Sequence, residues 1–274
     1  MKSSYLKIHP WKIIEEGFDP KRVKSSESIF SLGNGAMGQR ANFEETYSGE
    51  TFQGSYVGGV YYPDKTKVGW WKNGYPEYFA KVLNAPNWIG INIHTNGNVL
   101  DLNQYKSVDN FRRELDMQTG IYVRSFEVQI DSACRIGVEV KRFLSMDQAA
   151  LGVIQYQLTA LEGSCHLEIE SYVEGKITNQ DSNWDDPFWN HHSASHSNSV
   201  MLLKSRTLKT NFDVATYAQT FLIDPKGQQL SDFDEVSENQ RLSQSKKQIL
   251  RQGEQCSILK FGGYINGMNY SPQT

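Results

Sequence analysis

The chain has 274 residues, of which 38% are hydrophobic and 12% aromatic, and its formal net charge is −3. This composition provides enough apolar side chains for one large core, and β-rich domains of this length are common as single units. The chain has no long run of Lys or Arg, which argues against a nucleic-acid partner. It also has no apolar run of the roughly 18 residues that a membrane-spanning helix needs, so we expect no membrane association.

The N-terminus and the cysteines are the parts of the sequence that indicate the cellular compartment. Residues 1–10 contain no apolar core of the kind that marks a secretory signal, so we expect a cytoplasmic protein. The three cysteines, Cys134, Cys165 and Cys256, are too few and too scattered for a disulfide framework. Each falls in a strand-like run. We therefore expect buried, reduced thiols, with a reactive or bridged cysteine as the alternative.

The most informative segment is residues 27–45, which read ESIFSLGNGAMGQRANFEE. A strand-like apolar run at residues 29–32 meets Gly33-Asn34-Gly35. Because Gly and Asn tolerate positive φ, this sequence predicts a tight turn rather than the start of a helix. A second strand-like piece follows and ends in Glu44 and Glu45. Neighbours in an extended chain point to opposite faces, so we interpret these two acids as surface residues and not as a catalytic pair.

Residues 61–79 are dense in aromatic side chains, among them Trp70, Trp71 and Tyr75. Adjacent tryptophans in a strand cannot both be buried on one face. One of them should therefore face a sugar, a partner surface or a loop. We interpret Trp70, Trp71 and Tyr75 as a platform for a carbohydrate or a partner domain, with core packing as an equally weighted alternative.

The middle of the chain begins with a hairpin signal. Ile89, Ile91 and Ile93 precede an Asn-Gly-Asn turn at residues 96–98, and leucines at alternate positions follow. Residues 108–117 read as one or two helical turns. In that helix, Arg113 pairs with Asp116 at i, i+3, and the glycine at position 120 resets the backbone.

Period-two alternation dominates the rest of the chain. The predicted strands cover residues 121–130, 134–140, 154–158, 165–173, 199–204, 213–223 and 255–265. Residues 235–250 are polar and predict an exposed loop or edge. Many short strands without intervening helices predict an all-β fold, a large antiparallel β-sandwich with few short helices. We expect a single domain over residues 1–274, with its core at about 10–265.

Residues 181–189 place Trp184, Asp185, Asp186 and Trp189 in one loop. Sugar sites use this mixture, because aromatic faces stack on C–H faces while carboxylates bind hydroxyls. The alternative is a structured loop whose aromatic side chains dock on the sandwich. The histidines that follow, at residues 191–196, include one pair with helical i, i+4 spacing. We interpret them as an exposed polar loop and predict no metal site and no cofactor.

Three segments, residues 27–45, 109–120 and 178–189, together resemble the N-terminal domain of glycoside hydrolase family 65. That family holds the inverting phosphorylases of maltose, trehalose and kojibiose, and residues 178–189 are most similar to its maltose-cleaving branch. The resemblance implies a super-β-sandwich, similar to galactose mutarotase, that packs on an (α/α)6 catalytic barrel. It also implies that the barrel, which supplies the catalytic acid, lies outside this chain. No catalytic residue is therefore expected here, and the chain alone should be inactive.

The resemblance further implies a parent enzyme, a disaccharide phosphorylase or a related hydrolase, with inorganic phosphate as co-substrate of the phosphorylase. Its expected partners are its own barrel, a disaccharide and a second copy in a homodimer. Trp184, Asp185, Asp186 and Trp189 should then lie near the rim of the active site. Two alternatives stay open: a stand-alone carbohydrate-binding sandwich, and a scaffold sandwich with no role in sugar binding.

Overall fold

The computed structural model of the chain describes residues 5–66, 74, 76–95, 98–179 and 187–268. The first elements are β1 (Leu6–Ile8), β2 (Lys12–Glu16), α1 (Val23–Ile29), β3 (Leu32–Gly33), β4 (Met37–Gln39), β5 (Ser55–Val57), β6 (Tyr61–Lys65), β7 (Tyr78–Val82), β8 (Ile91–Thr95) and β9 (Asn98–Val99). A 3-10 helix (Leu102–Gln104) precedes β10 (Asp109–Asp116), β11 (Ile121–Asp131), β12 (Cys134–Leu144), β13 (Leu151–Gly163), β14 (Cys165–Glu174) and β15 (Trp189–Ser197). The last strands are β16 (Val200–Thr207), β17 (Asp213–Ile223), β18 (Gln229–Leu230), β19 (Asp234–Glu238), β20 (Arg241–Leu250) and β21 (Gln255–Asn266).

Two antiparallel sheets form the body of the molecule. The larger has 11 strands in the order β1-β2-β10-β11-β12-β13-β21-β17-β16-β15, with β18 paired to β17. The smaller has the order β19-β20-β14-β8-β9, and two short sheets consist of β3-β4-β5 and β6-β7. The predicted all-β fold, with few short helices, is confirmed. Among the described residues, no helix has the length and apolar character needed to cross a membrane.

The core lies between the two large sheets. One apolar cluster combines Ile91 and Ile169 of the smaller sheet with Val138, Leu158 and Ile258 of the larger sheet. Along these strands buried and partly exposed residues alternate, as expected when one face of each sheet is covered. Apolar burial between the sheets therefore holds the sandwich together.

A tryptophan fills a slot that two glycines leave open. Trp88 is fully buried, and Gly152 of β13 pairs directly with Gly262 of β21 beneath it. A Cβ atom would lie 2.5 Å from the Trp88 ring at Gly152 and 2.7 Å from it at Gly262. Both distances are shorter than van der Waals contact. Glycine is therefore required at both positions for the indole to lie flat on the larger sheet.

Most strands that alternation predicts are present. The runs at residues 121–130, 134–140, 154–158, 165–173, 199–204, 213–223 and 255–265 correspond to β11, β12, β13, β14, β16, β17 and β21. The predicted hairpin near residue 96 is confirmed, because His94 pairs with Val99 and Thr95 with Asn98. The tight turn at residues 33–35 is also confirmed. It joins β3 to β4, and Gly35 has φ +86°.

Two local predictions near the N-terminal half are wrong. The apolar run at residues 29–32 is not one strand, because Ile29 ends α1 and only Leu32 enters β3. The predicted helix at residues 108–117 is strand β10. In a strand, Arg113 and Asp116 point to opposite faces. Arg113 instead pairs with Glu15 of β2, with 3.1 Å between Nε and Oε2.

Two polar segments predicted as loops are strands. Residues 235–250 form all but the first residue of β19 and the whole of β20, and the predicted edge is correct only for β19, which ends its sheet. The histidine-rich stretch at residues 191–196 lies in β15, the last strand of the larger sheet. β15 and β19 are edge strands with one side open to solvent, which suits their polar sequences. β20 lies inside its sheet, and Leu242 and Gln244 are buried there between partly exposed residues.

The prediction of three reduced thiols is wrong for two of them. Cys134 and Cys165 form a disulfide, with Cα atoms 5.4 Å apart. Cys134 begins β12 of the larger sheet and Cys165 begins β14 of the smaller sheet. Cys256 is free and buried, as expected. The alternative of a bridged pair therefore holds for the two cysteines that link the sheets.

Candidate functional site

Six of the seven predicted site residues, Trp70, Trp71, Tyr75, Trp184, Asp185 and Asp186, lie outside the described residues. The seventh, Trp189, is the first residue of β15 and is only 8% exposed. Its indole N–H donates to the backbone oxygen of Asn84 at 2.8 Å. In this position Trp189 anchors the chain where the loop at residues 181–189 ends.

Asn84 also forms hydrogen bonds with the residues that precede the loop at residues 181–189. Asn179 Oδ1 accepts a hydrogen bond from the backbone N–H of Asn84 at 2.9 Å, and Asn84 Nδ2 donates to the backbone oxygens of Thr178 and Gln53. Both ends of the loop therefore meet at Asn84. Through the backbone oxygen of Gln53, the same residue also contacts the chain just before β5, which follows the family-like segment at residues 27–45.

A cluster of buried charges fixes that N-terminal segment to the larger sheet. Glu44 and Glu45, predicted to be surface residues, are 1% and 4% exposed. Arg124 Nη2 donates to Glu44 Oε2 at 2.7 Å and to Glu45 Oε2 at 2.6 Å. Arg142 Nη1 donates to Glu44 Oε1 at 2.9 Å, and the Tyr156 hydroxyl donates to Glu45 Oε1. The prediction failed because residues 44 and 45 are not in a strand, so both side chains turn toward one arginine.

Burial and charge act in opposite directions on these groups. Burial raises the pKa of Glu45 despite the neighbouring Arg124, and the carboxylate of Glu44 raises it further. Burial disfavours the charged form of Arg124, but Glu45 and Glu44 outweigh it, so the pKa of the guanidinium lies above its ordinary value. Burial and then Glu45 raise the pKa of Tyr156. Arg124 therefore stays charged, and its field is directed at the two carboxylates.

Aromatic rings cover the faces of the buried arginines. The guanidinium carbon of Arg124 lies 4.7 Å from the ring centre of Phe43 and 5.1 Å from that of Phe126. The guanidinium carbon of Arg113 lies 5.0 Å from the ring centre of Phe43. Cation–π contact of this kind partly replaces the hydration that the guanidinium loses on burial.

Backbone contacts complete the attachment of residues 40–46. Arg142 donates to the backbone oxygens of Arg40 and Asn42 at 3.3 Å each. The Asn92 side chain of β8 accepts from the backbone N–H and the hydroxyl of Thr46. The segment is therefore held between the two large sheets.

A polar cleft of about 210 Å³ opens beside this cluster. Residues that line it include Asn42, Thr46, Tyr47, Gln53, Asn87 and Tyr172. Glu45 also lines the cleft, but its two oxygens already bind Arg124 and Tyr156. The cleft therefore offers amides, hydroxyls and aromatic rings rather than a free carboxylate.

A second opening, which we call the β6–β7 groove, is apolar. It measures about 440 Å³ and is lined by Met37, Val57, Val60, Tyr61 and Val82 together with several glycines. Tyr61 and Val82 are 44% and 59% exposed. Exposed apolar side chains gathered around a groove are typical of a binding surface.

A third opening, of about 640 Å³, lies on the outer face of the smaller sheet and includes His94, His166 and Glu170. His94 Nε2 lies 3.4 Å from Glu170 Oε2, and Arg241 Nη2 donates to Glu170 Oε1 at 2.9 Å. Nowhere in the described part of the chain do three or more His, Cys, Asp or Glu side chains come together in a group that can hold a metal ion.

Comparison with known proteins gives a consistent result. The model of the N-terminal domain of glycosyl hydrolase family 65 matches residues 13–273. Maltose phosphorylase of Bacillus subtilis (strain 168) is 42% identical over 208 residues, which are 76% of this chain and 27% of that protein. Kojibiose phosphorylase of Halothermothrix orenii is 32% identical over 169 residues, which are 62% of this chain and 20% of that protein.

A solved structure supports the same assignment. It is described as a candidate kojibiose phosphorylase from human microbiome and superposes with a TM-score of 0.84 at 26% identity. The match covers 96% of this chain and 33% of the other. The chain therefore spans a third or less of the length of each of these three proteins. Because the family model matches nearly the whole chain, the chain belongs to glycosyl hydrolase family 65 through its N-terminal domain.

Proposed function

We propose that the chain is the non-catalytic β-sandwich of a phosphorylase that acts on an α-linked glucose disaccharide, with maltose as the first candidate. The observation that carries this proposal is the 42% identity to a maltose phosphorylase of which the chain covers only 27%. Identity to the kojibiose phosphorylase is lower, at 32%. The catalytic portion of such an enzyme lies outside the matched region.

The buried charges support a structural role for this domain. Inverting phosphorolysis needs one carboxylic acid that protonates the glycosidic oxygen while phosphate attacks the anomeric carbon, because phosphate replaces the water that a second carboxylate activates in hydrolysis. Glu44 and Glu45 are the acids of the family-like segment, and Arg124, Arg142 and Tyr156 engage both of them. Neither acid is free to exchange a proton with a substrate.

The β6–β7 groove is the surface that we assign to the catalytic portion. Met268 packs its methyl group against Gly59 at the groove, and the matched N-terminal domain ends at residue 273. We place the rest of the longer relatives after this domain, so that their chain continues beyond Met268, close to this groove. An apolar surface next to that junction fits an intramolecular domain contact, which buries it.

The loop at residues 181–189 is proposed to shape the rim of the active site. The residues that flank it, Asn179 and Trp189, both hydrogen-bond to Asn84. Trp184 is the residue to test. In a complete phosphorylase, Trp184→Ala should raise KM for the disaccharide, and unchanged kinetics would argue against a role at the rim.

A chimera tests the proposed function. The chain replaces the corresponding region of the Bacillus subtilis maltose phosphorylase, and phosphate-dependent maltose cleavage is measured. We expect an active chimera. Val82→Asp should lower its activity at least about tenfold, because a charge in the apolar contact costs more than about 1.4 kcal/mol.

The matched control is Val236→Asp, since Val236 is 48% exposed in β19, at the edge of the smaller of the two large sheets. It should leave the activity of the chimera unchanged. A well-folded chimera without activity would contradict the proposed function. Equal activity of the two Asp variants would instead remove the β6–β7 groove as the docking surface.

A further inference from the structure

We propose that the polar cleft beside Glu45 binds one neutral hexose ring, independently of any catalytic portion. The cleft measures about 210 Å³. At about 30 Å³ for each water molecule, this volume holds about seven waters, which is room for a single sugar ring and not for a disaccharide. The site would be a non-catalytic sugar site on the sandwich itself.

The lining offers hydrogen-bonding groups that the protein does not use. Among the described residues, the Gln53 carboxamide and the amide nitrogen of Asn87 make no hydrogen bond, whereas Asn87 Oδ1 accepts from the backbone N–H of Ile89 at 3.0 Å. The buried hydroxyl of Tyr47 is also without a partner in this part of the chain. Unpaired polar groups of this kind gain free energy when a ligand supplies the missing partners.

The walls of the cleft are held in place before a ligand arrives. Thr46 is fixed by two hydrogen bonds to Asn92 Oδ1. The ring of Tyr172 lies directly against Gly90, where a Cβ atom would be 2.2 Å from it, and the guanidinium of Arg241 covers it at 3.9 Å from its centre. A preformed site loses little conformational entropy on binding.

The chemistry of the lining selects the class of ligand. None of the described residues that line the cleft is Lys or Arg, so an anion such as phosphate finds no counter-charge there. Amide and hydroxyl groups match the alternating donors and acceptors of sugar hydroxyls. The rings of Phe43, Tyr47 and Tyr172 supply apolar surface for the C–H faces of a sugar. A neutral hexose fits this lining, because it carries no charge, has hydroxyls for the amides and presents C–H faces to the rings.

Ligand-observed NMR titration of the 274-residue chain tests the proposal, with glucose as the probe and inorganic phosphate as the charged comparison. The choice of glucose rests on the proposed function, but the experiment needs no catalytic portion. We expect saturable glucose binding in the millimolar range and no binding of phosphate. Gln53→Ala should weaken glucose binding about fivefold, the usual effect of one neutral hydrogen bond.

Two further variants make the outcome specific. Tyr47→Phe removes only the unpartnered hydroxyl, so it should also weaken glucose binding while thermal unfolding stays unchanged. Gln118→Ala, in the exposed turn between β10 and β11, should change neither quantity. The proposal is overturned if glucose shows no saturable binding, if phosphate binds at least as tightly, or if Gln53→Ala and Tyr47→Phe both bind glucose like the unchanged chain. If the glucose titration shows no binding, the interpretation of the chimera experiment does not change, because the chimera tests domain docking alone.

Discussion

At the scale of single residues, the fold depends on an unusual concentration of buried charge. Arg113, Arg124 and Arg142 are each at most 1% exposed, and they contact the carboxylates of Glu15, Glu44 and Glu45. Three positive and three negative groups balance one another, so the cluster as a whole carries little net charge. A balanced cluster tolerates burial, but the loss of one member leaves its partners as uncompensated charges.

The first prediction concerns Arg124. Arg124→Met keeps the volume of the side chain but removes the cation that Glu44 and Glu45 share. We expect the free energy of unfolding to fall by about 3–5 kcal/mol. The control is Arg206→Met, because Arg206 forms an exposed ion pair with Asp213 and its loss should cost less than about 1 kcal/mol. Urea unfolding at neutral pH measures both. A similar loss for both variants would mean that the buried carboxylates find other partners at little cost.

At the scale of elements, exposed ion pairs link neighbouring strands of the larger sheet. Arg135 of β12 donates to Glu127 of β11 at 2.9 Å and to Asp109 of β10 at 3.0 Å. The hydrogen bond from Arg135, followed by that from Asn110, lowers the pKa of Glu127. A carboxyl whose pKa is lower in the folded state adds stability above its unfolded pKa. That stability is lost as the pH falls through the folded value.

The second prediction follows from the lowered pKa of Glu127. Arg135→Met should lower the free energy of unfolding by up to about 1 kcal/mol at pH 7, and the effect should vanish once Glu127 is protonated in both states. The control is Lys204→Met in β16, since Lys204 has no ion pair among the described residues. Urea unfolding at pH 7 and in acid measures the difference between the two variants. An effect of Arg135→Met that persists in acid would show that the arginine acts through packing instead of charge.

Alternation identified most strands because one face of each sheet is covered, but it misled where a buried position carries a charge. In β10 the buried positions are Phe111, Arg113 and Leu115. With the arginine counted as polar, the apolar residues recur only every fourth position, which imitates a helix. The pattern Tyr122, Arg124 and Phe126 in β11 has the same form. An arginine at a position where the strand alternation calls for a buried apolar residue is therefore the feature of the sequence that indicates the buried acid–arginine cluster.

Other parts of the site follow from tertiary structure that no local pattern reports. Asn84 contacts both ends of the loop at residues 181–189 through Asn179 and Trp189, which lie 95 and 105 positions away in sequence. The cleft beside Glu45 is likewise assembled from residues 42–53 with Asn87 and Tyr172. Sequence reasoning finds the individual polar residues but cannot bring them together, because the pairing of distant segments is decided by packing.

At the scale of the whole molecule, one covalent bond joins the two large sheets. The disulfide connects Cys134 of β12 with Cys165 of β14, and 31 positions separate the two residues in sequence. Hydrophobic burial holds the same interface, so the bond acts mainly by restricting the unfolded chain. Cys256 does not compete for this pairing in the folded state. Burial raises the pKa of its thiol to about 12, which keeps the sulfur protonated and unreactive.

The last prediction tests this bond. Replacing Cys134 and Cys165 together by serine should lower the free energy of unfolding by about 3–4 kcal/mol, the value expected for a loop of this length. The unchanged chain under reducing conditions should show a similar loss. Thiol titration provides the control: the folded chain should present no reactive thiol, the unfolded chain one, and the reduced unfolded chain all three. Three thiols in the unfolded chain without a reductant would mean that the cysteines are reduced and that apolar packing alone holds the sheets together.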